Sequence, residues 1–323
     1  MHVKKQKISR VYQKKQKITQ KTRQLIQVQK KKNNKNNILN NKIEFLTYKN
    51  QALMQASGSQ LGFIVENIDC NKATPEDIEK IKAALWEHGT ICLKNQNLDA
   101  GQQVEFAQKF GSIIVRPPYY APDFREPGHP AIIRVGNVGV GGVPLQKPQD
   151  AELWHKDGSF EQPGKNFLLS FLHPKIITQI GGQTGFVDCE DTYNKLPSEI
   201  KEQLEGATVL ETSKTNSFFN NIMEEQHFED SHHKIFQIHP ISKRPIHFLT
   251  HRNYEITLKN GEKVDSTPFV DEFEKYYNIY SHKWSPGDLV IWDNYRVIHK
   301  SMGGYGNSQR LFFRVQCRVE PPY

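Results

Sequence analysis

Residues 310–319 alternate between apolar and polar side chains with a period of two, which is the pattern of a β-strand with two different faces. One face is wholly apolar and comprises Leu311, Phe313, Val315, Cys317 and Val319. The opposite face carries Arg310 and Arg314, about 13 Å apart at ~3.3 Å per residue. If that face lies in water, the arginines need no explanation. If that face points into the interior of a β-sheet protein, each guanidinium requires an anion, because an unpaired buried charge is costly. The planar guanidinium group is well suited to a carboxylate.

A second motif, residues 153–160, brings an imidazole and a carboxylate together. His155 and Asp157 are two residues apart in an apolar, β-prone stretch, and in a strand both side chains would point to the same face. His299, which follows the apolar run 288–294, is the candidate for a third ligand. Two histidines and one carboxylate on one side of a metal form the facial triad of non-haem Fe(II) oxygenases. The alternative is a surface strand, because a lone His-x-Asp pair arises easily by chance in a chain with 13 His.

The spacing of these five residues resembles that of the taurine/2,4-dichlorophenoxyacetate dioxygenases, which are Fe(II)- and 2-oxoglutarate-dependent enzymes of the TauD/TfdA type. His299 lies more than a hundred residues after His155 and Asp157, and Arg310 and Arg314 follow it by eleven and fifteen residues. Several shorter segments, spread over residues 61–319, also match the family: LGF at 61–63, EHG at 87–89, GGQT at 181–184 and WDN at 292–294. Several ordered motifs at compatible spacing are far more specific than any one of them.

This resemblance implies a double-stranded β-helix, or jelly roll, in which His155, Asp157 and His299 are the metal ligands and the catalytic centre. It also implies Fe(II) as cofactor and 2-oxoglutarate and O2 as cosubstrates, with succinate and CO2 as products. Arg310 would hold the distal carboxylate of 2-oxoglutarate, and Thr184 would donate a second hydrogen bond to it. Without the resemblance, Thr184 reads as an ordinary strand threonine after a Gly-Gly turn.

The resemblance further implies a small, anionic organic substrate that is hydroxylated or oxidatively cleaved. Arg314 would bind its carboxylate, sulfonate or phosphonate. Tyr119 is a candidate for a wall of the substrate pocket; the alternative is that Tyr119 belongs to a proline-kinked linker. Taurine enzymes place an Asn four residues before the first metal histidine, whereas this chain has Ala151, which argues against taurine. Asp157, in place of Ala or Gly, argues against a halogenase, which needs that coordination position for halide.

Local patterns predict a mainly β protein with flanking helices. Thr74-Pro75 marks the start of one helix, which ends near Gly89, and two more are predicted over 99–111 and 197–206. Strands are predicted at 90–93, 131–135, 167–172, 185–188, 289–292 and 311–319. Many short strands with a few helices are typical of a jelly roll.

The net charge of +8 is unevenly distributed along the chain. Residues 1–43 contain 12 Lys and 2 Arg without any acid, so they carry +14 and the remainder carries −6. We therefore divide the chain into a basic, low-complexity extension, residues 1–57, and a dioxygenase domain, residues 58–323. The extension is expected to be disordered; the alternatives are a mitochondrial transit peptide, an electrostatic tail for anionic surfaces, or a start codon placed upstream of Met54.

Other partners are constrained by composition. The mildly acidic domain gives little support for nucleic-acid binding, and no apolar run is long enough to span a membrane. Four cysteines without paired spacing favour a reducing interior. We expect an intracellular, cytoplasmic enzyme, or a mitochondrial one if the extension is a transit peptide; the sequence leaves a homo-oligomer open. The rival interpretation is a non-catalytic jelly-roll protein that uses the barrel to bind a ligand.

Overall fold

The computed structural model describes residues 61–145, 149–215, 223, 225 and 227–320. The strands are β1 (Phe63–Val65), β2 (Thr90–Leu93), β3 (Ser112–Ile113), β4 (Arg125–Glu126), β5 (His129–Gly136), β6 (Leu168–Ile176), β7 (Thr184–Asp188), β8 (Thr208–Glu211), β9 (Ser231–Lys234), β10 (Phe236–Ile238), β11 (Pro245–His247), β12 (Glu255–Thr257), β13 (Lys263–Asp265), β14 (Ile279–His282), β15 (Leu289–Asp293), β16 (Val297–Ser301) and β17 (Leu311–Arg318). The α-helices are α1 (Pro75–His88), α2 (Ala100–Gln108), α3 (Cys189–Lys195), α4 (Ser198–Gln203) and α5 (Thr267–Glu274).

The largest sheet has the strand order β1-β2-β15-β6-β17-β5-β4, with β3 paired to β17. Only the β1–β2 pair among these strands is parallel. Strand β17 lies between β5 and β6 and pairs with β6 along its whole length. The alternating strand predicted from residues 310–319 is therefore a central strand of the main sheet.

A second sheet, β14-β7-β16, faces the first across an apolar core. The shared core includes Phe186 of β7 and Val297 of β16 on one side, and Leu172, Trp292 and Phe312 of the main sheet on the other. Two mainly antiparallel sheets packed face to face around one core form the jelly roll that the sequence predicts.

Helices α1 and α2 cover the outer face of the main sheet. The apolar face of β17, which includes Phe313 and Val315, packs in one cluster with Leu85 of α1 and Phe106 of α2. Both helices begin with a capping box, in which the side chains of Thr74 and Asp99 accept backbone N–H groups that the first turn leaves unsatisfied. The N-terminal limits predicted for both helices are confirmed.

A smaller sheet, β13-β12-β8-β9, and the hairpin β10-β11 lie beyond the jelly roll. They share a core with α5 that includes Val209, Phe248, Ile256 and Phe273. The sequence patterns did not predict these strands, because each is only three or four residues long. This region carries the turn at residues 250–253, which lies next to the site described below.

The basic extension, residues 1–57, lies outside the described residues. Across the described part of the chain, none of the helices has the length and apolar character needed to cross a membrane. All four cysteines are buried and free.

Candidate metal centre

Three predicted ligands meet inside the jelly roll. His155 and His299 form an isolated antiparallel bridge in which each backbone N–H donates to the other's carbonyl, at 3.1 and 2.9 Å. Asp157 lies between the two rings, with His155 Nε2 at 3.7 Å from Oδ1 and His299 Nε2 at 3.7 Å from Oδ2. The candidate ligand atoms of all three residues lie within 4.8 Å of one another. One metal ion can therefore reach all three.

The local backbone differs from the regular strand predicted for the His-x-Asp motif. His155 makes only the bridge to His299, and the chain then turns at Asp157. Gly158 adopts φ +69°, a conformation that favours glycine, and a Cβ there would lie 2.5 Å from Leu168 Cδ1. The convergence of the two side chains therefore comes from a bridge followed by a tight turn, and the alternation of a strand does not explain it.

Both histidines are prepared to bind metal as neutral rings. His155 Nδ1 lies 2.7 Å from the carbonyl oxygen of Leu153, which can only accept, so Nδ1 carries the proton and Nε2 presents its lone pair. Burial lowers the pKa of His155 well below its ordinary value. Burial likewise lowers the pKa of His299 to about 4. At neutral pH neither ring carries the proton that would exclude a cation.

The carboxylate of Asp157 is held in place by several donors. Its Oδ2 accepts hydrogen bonds from Arg314 Nη1 at 2.9 Å, Gln316 Nε2 at 3.1 Å and Ser170 Oγ at 3.4 Å. Asn294 accepts the backbone N–H of Asp157 at 3.4 Å and donates to Ser170 Oγ at 2.6 Å. Burial acts to raise the pKa of Asp157, but the Arg314 charge and the two imidazoles outweigh it and lower that pKa. The carboxylate is ionised, as a metal ligand must be.

This donor set fits Fe(II). Two neutral imidazoles and one ionised carboxylate occupy one side of a buried position, which is the arrangement of the facial triad and leaves other coordination positions open to small ligands. A second group that could hold a metal, Cys92, His282 and Asp288, fits less well. The Asp288 carboxylate already accepts from Lys94 Nζ at 2.8 Å, and burial raises the pKa of the Cys92 thiol to about 12.

The predicted 2-oxoglutarate residues lie together at one end of the barrel. Arg310 is buried, its Nε donates to the carbonyl of Gly182 at 3.1 Å, and its guanidinium stacks 4.1 Å from the ring centre of Phe312. Thr184, two residues after Gly182, accepts a hydrogen bond from Trp284 Nε1 at 3.1 Å, which leaves its own hydroxyl hydrogen free to donate. Arg310 therefore contacts the Gly-Gly turn that immediately precedes the segment carrying Thr184.

A cavity of about 440 Å³ opens beside this end and is lined by Arg310, Gly182, Trp284, Phe312 and Lys283. Burial lowers the pKa of Arg310 to about 10. Within the described part of the chain, no carboxylate forms an ion pair with this guanidinium. A buried, desolvated arginine beside a cavity can bind an anionic group supplied from outside the chain.

The residues predicted to bind the primary substrate lie nearer the triad. Arg314 contacts Asp157 directly, and the hydroxyl of Tyr120 also forms a hydrogen bond with it. Tyr119 is partly buried and packs against the aromatic cluster that contains Tyr120 and Phe160. The structure thus brings Arg314 to the metal ligands, and Tyr119 packs in the same cluster as Tyr120.

Three residues near the triad were missed by the sequence analysis as parts of the site. Gln316 shares the polar face of β17, so the same alternation could have included it. Ser170 reaches Asp157 only because β6 pairs with β17 in register, opposite Gln316. Arg252, whose positive charge acts on all three triad residues, lies in a turn without any sequence signal.

A buried two-histidine, one-carboxylate site inside a double-stranded β-helix, with a buried arginine at a distance, defines the class of Fe(II)- and 2-oxoglutarate-dependent oxygenases. The model of the taurine catabolism dioxygenase TauD, TfdA family matches residues 51–316. The chain belongs to this family. It is a 2-oxoglutarate-dependent dioxygenase whose cofactor is Fe(II) and whose cosubstrates are 2-oxoglutarate and O2.

Individual relatives are distant. The chain is 25% identical over 257 residues to the alpha-ketoglutarate-dependent 2,4-dichlorophenoxyacetate dioxygenase of Cupriavidus pinatubonensis, covering 73% of this chain and 87% of the relative. It is 24% identical over 284 residues to the alpha-ketoglutarate-dependent sulfate ester dioxygenase of Pseudomonas putida, covering 82% and 87%. The crystal structure of AAD-2 in complex with Mn(II) and N-oxalylglycine has the same fold, with a TM-score of 0.65, 23% identity and coverage of 81% and 97%.

Proposed function

We propose that this dioxygenase oxidises a small organic molecule that carries an anionic group, by hydroxylation or by hydroxylation followed by cleavage. When bound, Fe(II) and 2-oxoglutarate supply the activation of O2, and the keto acid leaves as succinate and CO2. The observation that carries the proposal is a pair of buried guanidinium groups, one of which contacts the triad. Arg314 is hydrogen-bonded to a triad carboxylate, and Arg310 lies at the far end of the same strand face without an ion-pair partner among the described residues.

Arg310 and Thr184 are proposed to bind the distal carboxylate of 2-oxoglutarate. The hydroxyl hydrogen of Thr184 can be donated because its oxygen already accepts from Trp284. The stacking of Arg310 on Phe312 and its hydrogen bond to Gly182 fix the guanidinium before the ligand arrives. A fixed fork loses little entropy when it binds a carboxylate.

Arg314 and Tyr119 are proposed to line the pocket of the primary substrate. Arg314 also neutralises Asp157, and a divalent cation at the triad would compete with it for that carboxylate. The guanidinium would then be available to an anion placed next to the metal. The substrates in the printed names of the relatives, 2,4-dichlorophenoxyacetate and sulfate esters, are anionic, which supports this class.

The proposal is tested by a succinate-release screen with the full chain, Fe(II), 2-oxoglutarate and O2. The probes are aryloxyacetates, linear alkyl sulfates and alkyl sulfonates, each compared with an uncharged analogue such as the methyl ester. We expect at least one anionic probe to accelerate succinate release in wild type, and none to do so in Asp157→Ala. Equal stimulation by charged and uncharged analogues would contradict the anionic substrate class.

A further inference from the structure

A second group of buried titratable residues lies at the end of β14, apart from the triad. His282 Nε2 lies 3.0 Å from Asp288 Oδ2, and both side chains are buried. The other oxygen of Asp288 accepts from Lys94 Nζ at 2.8 Å. Burial acts to raise the pKa of Asp288, but hydrogen bonds from His282 and Lys94 outweigh it and lower that pKa. Because the ionised carboxylate can only accept, His282 Nε2 carries a proton and donates it to this hydrogen bond.

These contacts fix the loop 283–288, which connects β14 to β15. Asp288 Oδ2 also accepts the backbone N–H of Ser285 at 2.9 Å, and the N–H of Asp288 donates to the Ser285 carbonyl at 3.2 Å. One carboxylate therefore holds the chain both before and after Trp284. The His282 ring packs edge-on against the Trp284 indole, with 4.6 Å between the ring centres. The indole consequently has a defined position.

Trp284 is linked to both residues that are proposed to bind the distal carboxylate of 2-oxoglutarate. Its Nε1–H donates to Thr184 Oγ1 at 3.1 Å. Its ring centre lies 4.5 Å from that of Phe312, on which the Arg310 guanidinium stacks at 4.1 Å. Trp284, Phe312 and Arg310 line the same cavity of about 440 Å³. Trp284 thus reaches Thr184 directly and Arg310 through Phe312.

The indole N–H determines which way the Thr184 hydroxyl can point. A threonine hydroxyl is both donor and acceptor and rotates to suit its neighbours, whereas an indole N–H is a donor only. While the oxygen of Thr184 accepts from Trp284, the hydroxyl hydrogen must point away from the indole, toward an acceptor. Without the indole donor the hydroxyl rotates freely, and its orientation has to be fixed when the ligand binds, which costs affinity.

We propose that Trp284 is a positioning residue for 2-oxoglutarate, which orients the Thr184 hydroxyl toward the distal carboxylate before the cosubstrate binds. The proposal rests on the proposed function, because it takes Thr184 as a partner of that carboxylate. The buried His282–Asp288 pair then has a role outside the triad, as the support of Trp284. The preference for a dicarboxylic over a monocarboxylic 2-oxo acid should therefore depend on Trp284.

The first test measures the dissociation constant of 2-oxoglutarate for the anaerobic, Fe(II)-loaded full chain, through the visible absorption of the chelate. Trp284→Phe removes the indole N–H and keeps an aromatic ring beside Phe312. We expect it to weaken binding about 5-fold or more, within the range of couplings in one hydrogen-bond network. Trp86→Phe is the control, since Trp86 lies on α1 and packs against Phe167; it should bind as wild type does. Unchanged binding in Trp284→Phe would overturn the proposal.

The second test is a double-mutant cycle. Thr184→Val removes the hydroxyl, keeps the shape of the side chain and should weaken 2-oxoglutarate binding by about 10-fold. If the indole acts through that hydroxyl, adding Trp284→Phe to Thr184→Val should weaken binding by no more than a further ~2-fold. Losses that multiply in the double variant would mean that Trp284 acts independently of Thr184, which contradicts the proposal.

The third test uses 2-oxovalerate, which has the same carbon chain with a methyl group in place of the distal carboxylate. Its dissociation constant should be the same for wild type and Trp284→Phe, because it cannot accept from Thr184. Equal weakening of both 2-oxo acids would show that Trp284 only shapes the pocket. Mn(II) affinity without a 2-oxo acid should also be unchanged in Trp284→Phe; a parallel loss would show that Trp284 acts on the metal centre. Either result would overturn the proposal.

The outcomes separate this inference from the proposed function. If Thr184→Val binds 2-oxoglutarate as wild type does, the proposed role of Thr184 fails and the inference fails with it. If Thr184→Val weakens binding and Trp284→Phe does not, the role of Thr184 stands and only that of Trp284 is overturned.

Discussion

Arg310 and Arg314 occupy the same strand face but have different surroundings. Arg310 stacks on Phe312 and has no ion-pair partner among the described residues, whereas Arg314 contacts the carboxylate of Asp157. A guanidinium that is already buried and stacked has lost its water during folding. Binding of a ligand carboxylate therefore adds no further desolvation cost for the arginine. We therefore expect the two arginines to make separable contributions to binding.

Replacing Arg310 with alanine should raise the apparent KM for 2-oxoglutarate by ~10-fold or more, because a charge-assisted bidentate pair typically exceeds 1.4 kcal/mol. Replacing Arg314 with alanine should instead weaken binding of the primary substrate and leave the KM for 2-oxoglutarate nearly unchanged. Steady-state succinate release with varied 2-oxoglutarate and varied substrate measures both. Exchanged or identical phenotypes for the two variants would contradict the assigned roles.

At the scale of elements, the sequence predicted the strands that carry an alternating or continuous apolar pattern. Strand β2 and the central strand β17 lie where the patterns placed them, and the caps Thr74 and Asp99 begin helices. Strand β16, which carries His299, was missed, and so were the strands of the smaller sheet, which are only three or four residues long. The position of Arg252 could not be predicted, because its turn is held by hydrogen bonds to chain segments distant in sequence, from His251 to Trp154 and from Asn253 through Glu211 to Ser159.

The turn after Asp157 provides an element-scale prediction. In Gly158→Ala the alanine would have to keep φ +69°. Its Cβ would clash with Leu168, which is fully buried and cannot readily move. Gly164→Ala is a matched control, since its φ is +85° and a Cβ there would meet no atom within 4 Å. We expect Gly164→Ala to cost about 1–2 kcal/mol of unfolding free energy, the usual cost of a left-handed non-glycine residue.

Gly158→Ala should cost more than this control and should also weaken Mn(II) binding, because the clash displaces the adjacent Asp157. Urea unfolding and calorimetric Mn(II) titration measure the two effects. Equal losses of stability in both variants, with unchanged Mn(II) affinity, would mean that the turn does not position the carboxylate.

The whole molecule should lose stability in acid because of its buried histidines. Burial lowers the folded-state pKa of His299 to about 4 and that of His233 to about 4, both below the ordinary value of 6.5. The unfolded chain therefore binds more protons between these values, and stability rises with pH across that window. Below about pH 6.5 the metal-free protein should lose stability progressively until pH reaches about 4.

Urea unfolding of the metal-free protein at a series of pH values measures this dependence. His299→Gln removes one of these groups. Between pH 6.5 and pH 4 its unfolding free energy should therefore decrease less than that of wild type, by on the order of 1–3 kcal/mol. Parallel pH profiles for wild type and His299→Gln would contradict the lowered pKa of His299.

The basic extension is proposed to be separate from the catalytic domain. With a net charge of +14 and Glu44 as its single acid, it is not expected to form a core, and every predicted site residue lies beyond residue 115. A chain that begins at Met54 should fold, bind Fe(II) and 2-oxoglutarate, and turn over as the full chain does. Only its adhesion to anionic surfaces should decrease, an effect that added salt would reduce. Lower thermal stability or weaker metal binding in the shortened chain would place the domain boundary elsewhere.

The central claim is that His155, Asp157 and His299 hold one Fe(II) to which 2-oxoglutarate binds. The most direct measurement is an anaerobic titration of the full chain with Fe(II) and then 2-oxoglutarate, followed by visible absorption. The account predicts a weak charge-transfer band that saturates at one Fe(II) per chain and is absent from Asp157→Ala and His299→Ala. A wild-type chain that forms no such band, or an equal band in Asp157→Ala, would contradict it.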